Sequence, residues 1–489
     1  MVKIAIPACL WALWGTLARA EVYFVDCAEL HQGNGRQESP WSSLDQVNEP
    51  VFEPGDIILF KIGSTCFGVL QPKGSGTRQA PIRVMSYGSV DDERTDEEAD
   101  EAVIHGQGAL ATVVLLNQDH WTISNLSVTN ADKEVSARQG IYVGANDGQT
   151  HYGITIESNH VHHVAGQTNK AKYAAGFIAS AGILVDGTPY SRFDDVLIKG
   201  NRVTDCGGGG IKVRAGSLYS RGKNVRVTRN NIHGCGGDGI IASYSNRPLI
   251  DHNVASYLGR GAYPWTGGNF AGIWVLGNLN PVMSHNVVFG TSPSAFDSTA
   301  FDCDWGNEGV CLVEYNFSRD NAGGAFLNCD GCGLSGGANQ VLRYNIFQND
   351  CRIYSNGDLP ELTVYNNVFY CPSNPFDFIL PARTRFINNI FVGNDLSELP
   401  NIPGVEWLDN FFDGLERPTG NGLSGNAGFV NPGTGLGDLE SLSGYMLRPK
   451  SRALGNGRVV AGNGGKDIFG NPVSPSEQPN RGAYNGPGV

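Results

Sequence analysis

A recurring asparagine phrase constrains the fold of this chain more than any other feature. From about residue 154 onwards, segments such as "ITIESNHV", "VRVTRNNI" and "VLRYNIF" share the pattern apolar-x-x-Asn-x-apolar. The repeated residues are Asn159, Asn201, Asn230, Asn253, Asn286, Asn316, Asn345, Asn367 and Asn389. Their spacing varies but never falls below 22 residues. A fixed minimum with variable excess is typical of a β-solenoid, in which loops of different length are inserted into a constant coil.

The repeat predicts strands whose alternate residues point into the solenoid. The repeated Asn predicts a ladder in which each side-chain amide bonds to that of the next coil at a tight bend. Asn also marks ordinary turns, but nine occurrences in register favour the ladder.

A second phrase, Gly-Ile-x-Val and its variants, follows many of these Asn residues and predicts the next strand of each coil. Its alignment gives one outward column of Tyr142, Leu184, Lys212, Ile241, Trp274, Asp302 and Leu327. The other outward column is Gly144, Asp186, Arg214, Ser243, Leu276, Asp304 and Cys329. Cys206 and Cys235 each lie five residues after a ladder Asn, so they should stack on adjacent coils, where they could pair.

The N-terminus predicts export. Lys3, the apolar run 4–14 and the Ala18-Arg19-Ala20 site form a secretory signal peptide, and no later stretch is apolar enough to cross a bilayer. Ten of the 11 cysteines follow the signal, and an even number in an exported chain favours disulfides, including Cys329-x-x-Cys332. Asn125-Leu-Ser and Asn316-Phe-Ser are glycosylation sequons. The formal net charge of −13 argues against nucleic acid and anionic membranes as partners.

Three stretches give the chain a clear resemblance. "PGDIILFKIGSTCFGVLQPKGSGTRQAPIRVMSYG", "YNFSRDNAGGAFL" and "DIFGNPVSPSEQPNRGAY" resemble the N-terminal strands, coil repeat and C-terminal ending of secreted carbohydrate-active proteins of the pectate-lyase-like superfamily. The resemblance implies an all-β fold, a right-handed parallel β-helix in one domain. We therefore expect a signal at 1–20, N-terminal strands and a cap at 21–110, coils at 111–400 and a C-terminal capping region at 401–489.

The stretch "AFDCDWGNEG" places two carboxylates on one predicted strand face. Asp302 and Asp304 occupy both outward columns while Cys303 points inward, so roughly 6.5–7 Å separates their Cα atoms. That is near the low end of the carboxyl separation of inverting glycosidases, about 6.5–9.5 Å. Mutual repulsion would keep one acid protonated and leave the other ionised. The alternative is a solvated pair or a structural cation site.

Neighbouring residues suggest how a sugar would bind. Trp274 lies one coil from Asp302 and is expected to stack on a sugar ring, and Trp265 is expected to wall the same cleft. Loop packing is the alternative for both rings. Lys212 and Arg214, about 14 Å from the acids, are expected to bind a carboxylate-bearing or distant sugar with Asp186 as partner. A surface ion pair is the alternative.

Other acids and the histidines are weaker candidates. Asp238 is expected to be a third catalytic acid or a turn residue, and Glu308 and Asp297 are reserve acids on flanking loops. The histidines near the ladder are interpreted as edge residues with no metal: His160, His162, His163 and His233.

These features predict a secreted glycoside hydrolase that acts as a monomer, without a cofactor, on a polysaccharide or its oligosaccharides. The N-T-D, paired D-D, G-H-G and R-I-K motifs of polygalacturonases are absent, which argues against that activity. One alternative is a polysaccharide lyase or uronan epimerase that uses Lys212 and Arg214, with Ca²⁺ held by Asp residues. The other is a glycan-binding β-helix without catalysis.

Overall fold

The structure, a computed structural model, describes residues 20–88, 101–187, 190–332, 336–357, 361–394, 399, 401–418 and 421–489. The predicted signal peptide lies outside the described residues except for Ala20, as does most of the acidic loop 91–102. The described residues form a right-handed parallel β-helix, as predicted. Among them, no helix has the length and apolar character needed to cross a membrane.

The strands of successive coils pair in parallel and stack into three sheets. Sheet 1 contains Val22–Val25, Ile57–Lys61, Ile82–Tyr87, Trp121–Ser124, Thr150–Glu157, Arg192–Lys199, Val225–Thr228, Leu249–Asp251, Val282–Ser284, Val310–Glu314, Asn339–Arg343, Leu362–Tyr365, Thr384–Ile387 and Glu406–Asp413. Sheet 2 contains Thr65–Phe67, Val103–His105, Ser127–Asn130, His160–Val164, Arg202–Arg214, Asn231–His233, Val254–Ser256, Val287–Phe289, Phe317–Arg319, Ile346–Gln348, Val368–Tyr370, Ile390–Val392 and Asn421–Ser424. Sheet 3 contains Ala111–Leu116, Gln139–Ala145, Ala181–Gly187, Gly236–Ser243, Ile273–Leu276, Phe301–Asp304, Phe326–Cys329, Arg352–Ser355 and Asp377–Ile379.

The strand Arg202–Arg214 runs from sheet 2 into sheet 3, and Glu406–Asp413 pairs with strands of both sheet 1 and sheet 2. The remaining described elements are short. They are the strand pairs Val51–Phe52 with Lys73–Gly74 and Gly222–Lys223 with Ser245–Asn246, the helices α1 (Leu44–Asn48) and α2 (Ala174–Ile178), and the 3-10 turns Asp330–Cys332 and Glu440–Tyr445.

The asparagine ladder is confirmed and extends one coil further than predicted. From Asn159 to Asn389, each ladder side chain donates from Nδ2 to Oδ1 of the next, at 2.9–3.1 Å, and the last acceptor is Asn410. The residue before each ladder Asn has a positive φ, for example 56° at Arg229 and 55° at His252. This left-handed residue makes the tight bend, and the buried amide supplies the hydrogen bonds that the bend removes from the strands.

The core consists of columns of inward side chains, one from each coil. In sheet 3 a column of fully buried residues is formed by Ile141, Ile183, Ile211, Ile240, Ile273, Phe301, Phe326 and Ile353. Each such burial contributes roughly 1.5–3 kcal/mol. Because side chains alternate along a strand, this column fixes which residues of sheet 3 face outward.

The C-terminal region packs along one flank of the solenoid. Outward residues of sheet 2 such as Phe317 and Ile346 are buried beneath Phe429, Tyr445 and Tyr484. At the N-terminal end, α1 packs its buried Leu44 and Val47 into the main core.

Eight of the ten cysteines form disulfides, as the even count suggested. The pairs are Cys27–Cys66, Cys303–Cys311, Cys329–Cys332 and Cys351–Cys371. Cys206 and Cys235, which could pair according to the sequence, do not: both thiols are buried and free. Of the two sequons, Asn125 is exposed, whereas Asn316 is buried in the ladder with its amide hydrogen-bonded.

Candidate active site

The outward face of sheet 3 carries the candidate residues in the predicted register. Lys212 pairs with Ile241, Ile241 with Trp274, and Trp274 with Asp302. In the second column, Asp186 pairs with Arg214 and Asp304 with Cys329. The alignment of the coil repeat therefore placed these residues on the correct strands and the correct face.

Two insertions cover part of this face. One carries α2 between the ladder residues Asn159 and Asn201, and the other is the loop between Asn253 and Asn286. Phe177 of α2 is fully buried, and its ring packs edge-on against Trp265 from the second insertion. Outward residues that would face water on a bare solenoid are consequently buried, including Lys212 and Asp302, each 4% exposed.

Three carboxyl groups line a cleft of about 470 Å³ beside these insertions. Asp297, Asp302 and Asp304 face this cleft together with Lys170 and Tyr354. The Cys329–Cys332 disulfide closes one side of it. We call this the acid cleft.

Burial raises the pKa values of all three carboxyl groups. The pKa of Asp297 rises to about 6 and that of Asp304 to about 7, and the pKa of Asp302 lies well above its usual range. Desolvation is the largest cause in each case, and the neighbouring carboxylates add to it for Asp302. Lys170 opposes the rise at all three. The cleft thus contains acids that exchange protons near neutral pH.

The three acids differ in access to the cleft. Asp302 is 4% exposed, and its buried Oδ1 has no hydrogen-bond partner among the described residues. Asp304 is half-buried, and its Oδ1 accepts a hydrogen bond from the Trp305 amide at 2.8 Å. Asp297 is also half-buried. Asp297 and Asp304 are therefore the more accessible carboxyls.

A second cleft, of about 580 Å³, continues along the same face. The rings of Phe177, Trp274 and Trp305 line it, and we call it the aromatic cleft. Lys170 and Asp304 line both clefts. The ammonium group of Lys170 lies 5.6 Å from the Phe177 ring centroid and 5.8 Å from that of Trp274. A bound chain can therefore extend from the acids onto aromatic rings.

Two of the three cations that line the aromatic cleft, Lys212 and Arg214, are paired with acidic residues. Lys212 donates to the Phe177 carbonyl at 2.8 Å, and its Nζ lies 3.6 Å from Asp238 Oδ2. Burial lowers the pKa of Lys212 to about 8. Arg214 forms an ion pair with Asp186. The alternative of a solvated surface ion pair is thus wrong for Lys212, which is buried under α2.

Asp238 lies inside this network rather than at an exposed turn. It is 1% exposed and lies on the strand Gly236–Ser243. Its Oδ1 accepts hydrogen bonds from Trp274 Nε1 at 2.9 Å and from the Ala271 amide at 3.3 Å. Asp238 lines the aromatic cleft but not the acid cleft. Its contacts fix the orientation of the Trp274 ring.

Two other candidates lie elsewhere. Trp265 packs between Phe177 and Phe270, with ring centroids 5.5 and 5.0 Å away, and lines neither cleft. Trp265 therefore packs against Phe177, a residue that lines the aromatic cleft, without lining the cleft itself. Glu308 is an exposed acid paired with Arg221 at 2.8 Å and lies outside both clefts.

Sequence reasoning missed Lys170, Phe177 and Tyr354. Lys170 and Phe177 belong to an insertion that has no coil register, so periodicity carries no information about them. Tyr354, in contrast, pairs with Leu327 and continues the first outward column. Extending the alignment by one coil would have found it.

One set of groups at the acid cleft has the spacing of metal ligands. Asp304, Cys329 and Cys332 place their ligand atoms within 4.8 Å of one another. Because the two cysteines form a disulfide, they offer no thiolate to a metal.

Comparisons with known proteins agree with this architecture. The chain is 28% identical to a lacto-N-biosidase of Bifidobacterium longum subsp. longum, over 77% of this chain and 29% of that protein. The chain thus spans less than a third of the length of this relative. The crystal structure of the GH136 lacto-N-biosidase from Eubacterium ramulus superposes with a TM-score of 0.60 at 19% identity, covering 75% of this chain and 68% of that one.

A xylose complex of XylC gives a TM-score of 0.51 at 11% identity, covering 95% of this chain and 98% of that one. At these identities the two solved structures establish the fold alone. The "Right handed beta helix region" family matches residues 111–398, more than half of the chain. The chain therefore belongs to the right-handed β-helix family.

Proposed function

We propose that this protein is a secreted, monomeric glycoside hydrolase that acts at the acid cleft. The observation that carries the proposal is the set of three carboxyl groups with raised pKa values beside an aromatic cleft. Glycoside hydrolysis needs one carboxyl that is protonated and one that is ionised. Burial near a second acid produces this division at neutral pH.

Asp297 and Asp304 are the proposed acid and base pair, since they are the accessible carboxyls. This revises the sequence-based pair of Asp302 and Asp304 by adding an acid from the flanking loop. Asp302 stays protonated because it is buried with an unpaired oxygen. In this proposal Asp302 is a neutral neighbour of Asp304. A carboxylate at this position would repel the charge of ionised Asp304.

The substrate is proposed to be a neutral glycan. Trp274, held by Asp238, offers a ring face for a sugar. Lys212 and Arg214 are each compensated by an aspartate, so neither supplies a net charge for a uronate. Because of the similarity to a lacto-N-biosidase, the first substrates to test are oligosaccharides that contain a lacto-N-biose unit.

The lyase alternative rests on a different observation, the lowered pKa of Lys212. A lysine with a pKa of about 8 is suited to abstract a proton. Its ammonium is, however, buried and hydrogen-bonded to the Phe177 carbonyl. The proposed hydrolysis uses carboxyls and no cofactor, whereas the lyase alternative includes Ca²⁺.

A glycan panel digested with matched variants tests the proposal. Asp304→Asn and Asp297→Asn should each lower kcat by about 10²–10⁴-fold, the usual contribution of a general acid or base. Asp302→Asn should cost less, because the replaced group is already neutral. Glu308→Gln is the control, an exposed acid outside the clefts, and should leave kcat unchanged.

Full activity of both Asp304→Asn and Asp297→Asn would exclude this mechanism. An unsaturated, ultraviolet-absorbing product that depends on added Ca²⁺ would instead support the lyase. If the wild type binds glycans of the panel but cleaves none of them, the non-catalytic alternative is favoured.

A further inference from the structure

A histidine cluster on the outward face of sheet 2 lies apart from both clefts. His160 and His162 occupy alternate positions on the strand His160–Val164, so their side chains leave the same face. Their rings stack with centroids 4.4 Å apart. Glu101, 59 residues earlier in the chain, reaches His160 Nδ1 at 3.1 Å. Sequence spacing alone could not reveal this third group.

The ligand atoms of Glu101, His160 and His162 lie within 4.8 Å of one another. Two imidazoles and a carboxylate form the three-ligand set that binds zinc with an open fourth position. Imidazole nitrogens favour zinc and similar transition metals over Ca²⁺ or Mg²⁺. We propose that Glu101, His160 and His162 bind one zinc-class divalent cation.

The surrounding hydrogen bonds suit this role. His162 Nδ1 lies 2.9 Å from His163 Nδ1, and His162 Nε2 lies 3.0 Å from Ser127 Oγ. A cation takes the Nε2 lone pair, and the Nδ1 proton is then donated to His163. Histidine ligands characteristically donate their second ring proton to such a partner, which fixes the tautomer. His163 is therefore the proposed positioning residue.

The charged side chains at the cluster act on a cation in opposite directions. The carboxylate side chain of Glu101 is the acidic member of the three-ligand set and attracts a cation. Arg202, on the next coil, pairs with His160 in the sheet and is the nearby positive charge. It will weaken the affinity without removing a ligand.

The second stacked histidine pair of the chain provides a matched control. His252 and His285 stack with centroids 4.8 Å apart, and His252 contacts Asp251 at 2.8 Å. These side chains resemble the cluster in composition and packing. They are not among the groups of described residues whose ligand atoms lie close enough to share an ion.

Isothermal titration with Zn²⁺ tests the proposal, using untagged, metal-stripped protein. The wild type should bind one equivalent with high affinity. His163→Gln should weaken binding by about 10–100-fold, the usual contribution of an outer partner. His160→Gln and Glu101→Gln should weaken it further, and the double variant His252→Gln/His285→Gln should bind like the wild type.

His162 is buried, so His160→Gln and Glu101→Gln are the decisive variants, with folding checked by circular dichroism. Absence of Zn²⁺ binding by the wild type overturns the proposal. Unchanged binding by both decisive variants, or loss of binding in the control, also overturns it. Glycan cleavage is not part of the readout, so the result is independent of the proposed hydrolase activity.

Discussion

Removing one amide from the asparagine ladder should destabilise the protein far more than removing its exposed neighbour. Asn230 and Asn231 are adjacent, but the first is 1% exposed and the second lies on the surface. Asn230 Oδ1 accepts from the Asn201 amide and Nδ2 at 2.9 Å each, and its Nδ2 donates to the Ile198 carbonyl at 3.0 Å. Asn230→Ala removes all of these bonds.

The magnitude follows from the groups that lose their partners. The side chain of Asn230 fills the buried space beside the Asn201 N–H and the Ile198 carbonyl. In Asn230→Ala both groups stay buried and lose this partner. An unsatisfied buried polar group costs about 1–3 kcal/mol, so two of them cost about 2–6 kcal/mol. Asn231→Ala leaves the backbone bond from Asn231 N–H to the Asn201 carbonyl in place and should change the free energy of unfolding by less than about 0.5 kcal/mol.

Guanidinium unfolding followed by tryptophan fluorescence and circular dichroism measures both variants. A solenoid can unfold in segments, so the two probes must give the same midpoint before a free energy is derived from either. If Asn230→Ala and Asn231→Ala have midpoints that agree within error, the ladder does not stabilise the fold and this reasoning fails.

Two pH-dependent results are also expected. The carboxyls of the acid cleft, with pKa values near 6 and 7, should give a bell-shaped kcat profile with its maximum between these values, and a flat profile from pH 5 to 8 would contradict the assignment. Asp350 is fully buried and accepts hydrogen bonds from Ser318 Oγ and Asn321 Nδ2. Burial raises its pKa to about 7. The folded state therefore holds a proton that the unfolded state loses near pH 4, and stability falls as pH rises from about 4 to about 7. Asp350→Asn should remove this contribution, so its stability relative to the wild type should increase with pH across that window in urea unfolding, and a constant difference would refute it.

The coil repeat was sufficient to predict the fold and the outward columns because both depend on local periodicity. Apolar residues recur in register, and a slip of one residue would expose the whole core column. Inward and outward positions were therefore predictable for Lys212, Trp274, Asp302 and Asp304 from one alignment. The burial of Lys212 and Asp302 was not predictable, because it depends on insertions that do not follow the repeat.

The contact with the C-terminal region was also encoded in the sequence, although it was not recognised there. The residue after each ladder Asn faces outward from sheet 2. It is His160, Arg202 or Asn231 in the early coils and Val287, Phe317 or Ile346 in later ones. The change from polar to apolar marks where the C-terminal region covers the flank. The early, uncovered coils are those that carry the proposed cation site.

The position of the candidate active site follows from the unequal lengths of the coils. The largest spacings between ladder residues are those from Asn159 to Asn201 and from Asn253 to Asn286, and these hold the two insertions over sheet 3. Coils with the minimum spacing, from Asn345 onwards, have no room for such a cover. A carboxyl on a bare strand would be hydrated, with an ordinary pKa, and would not retain a proton at neutral pH. The solenoid thus supplies the spacing of the acids, while the insertions supply the desolvation that makes them reactive.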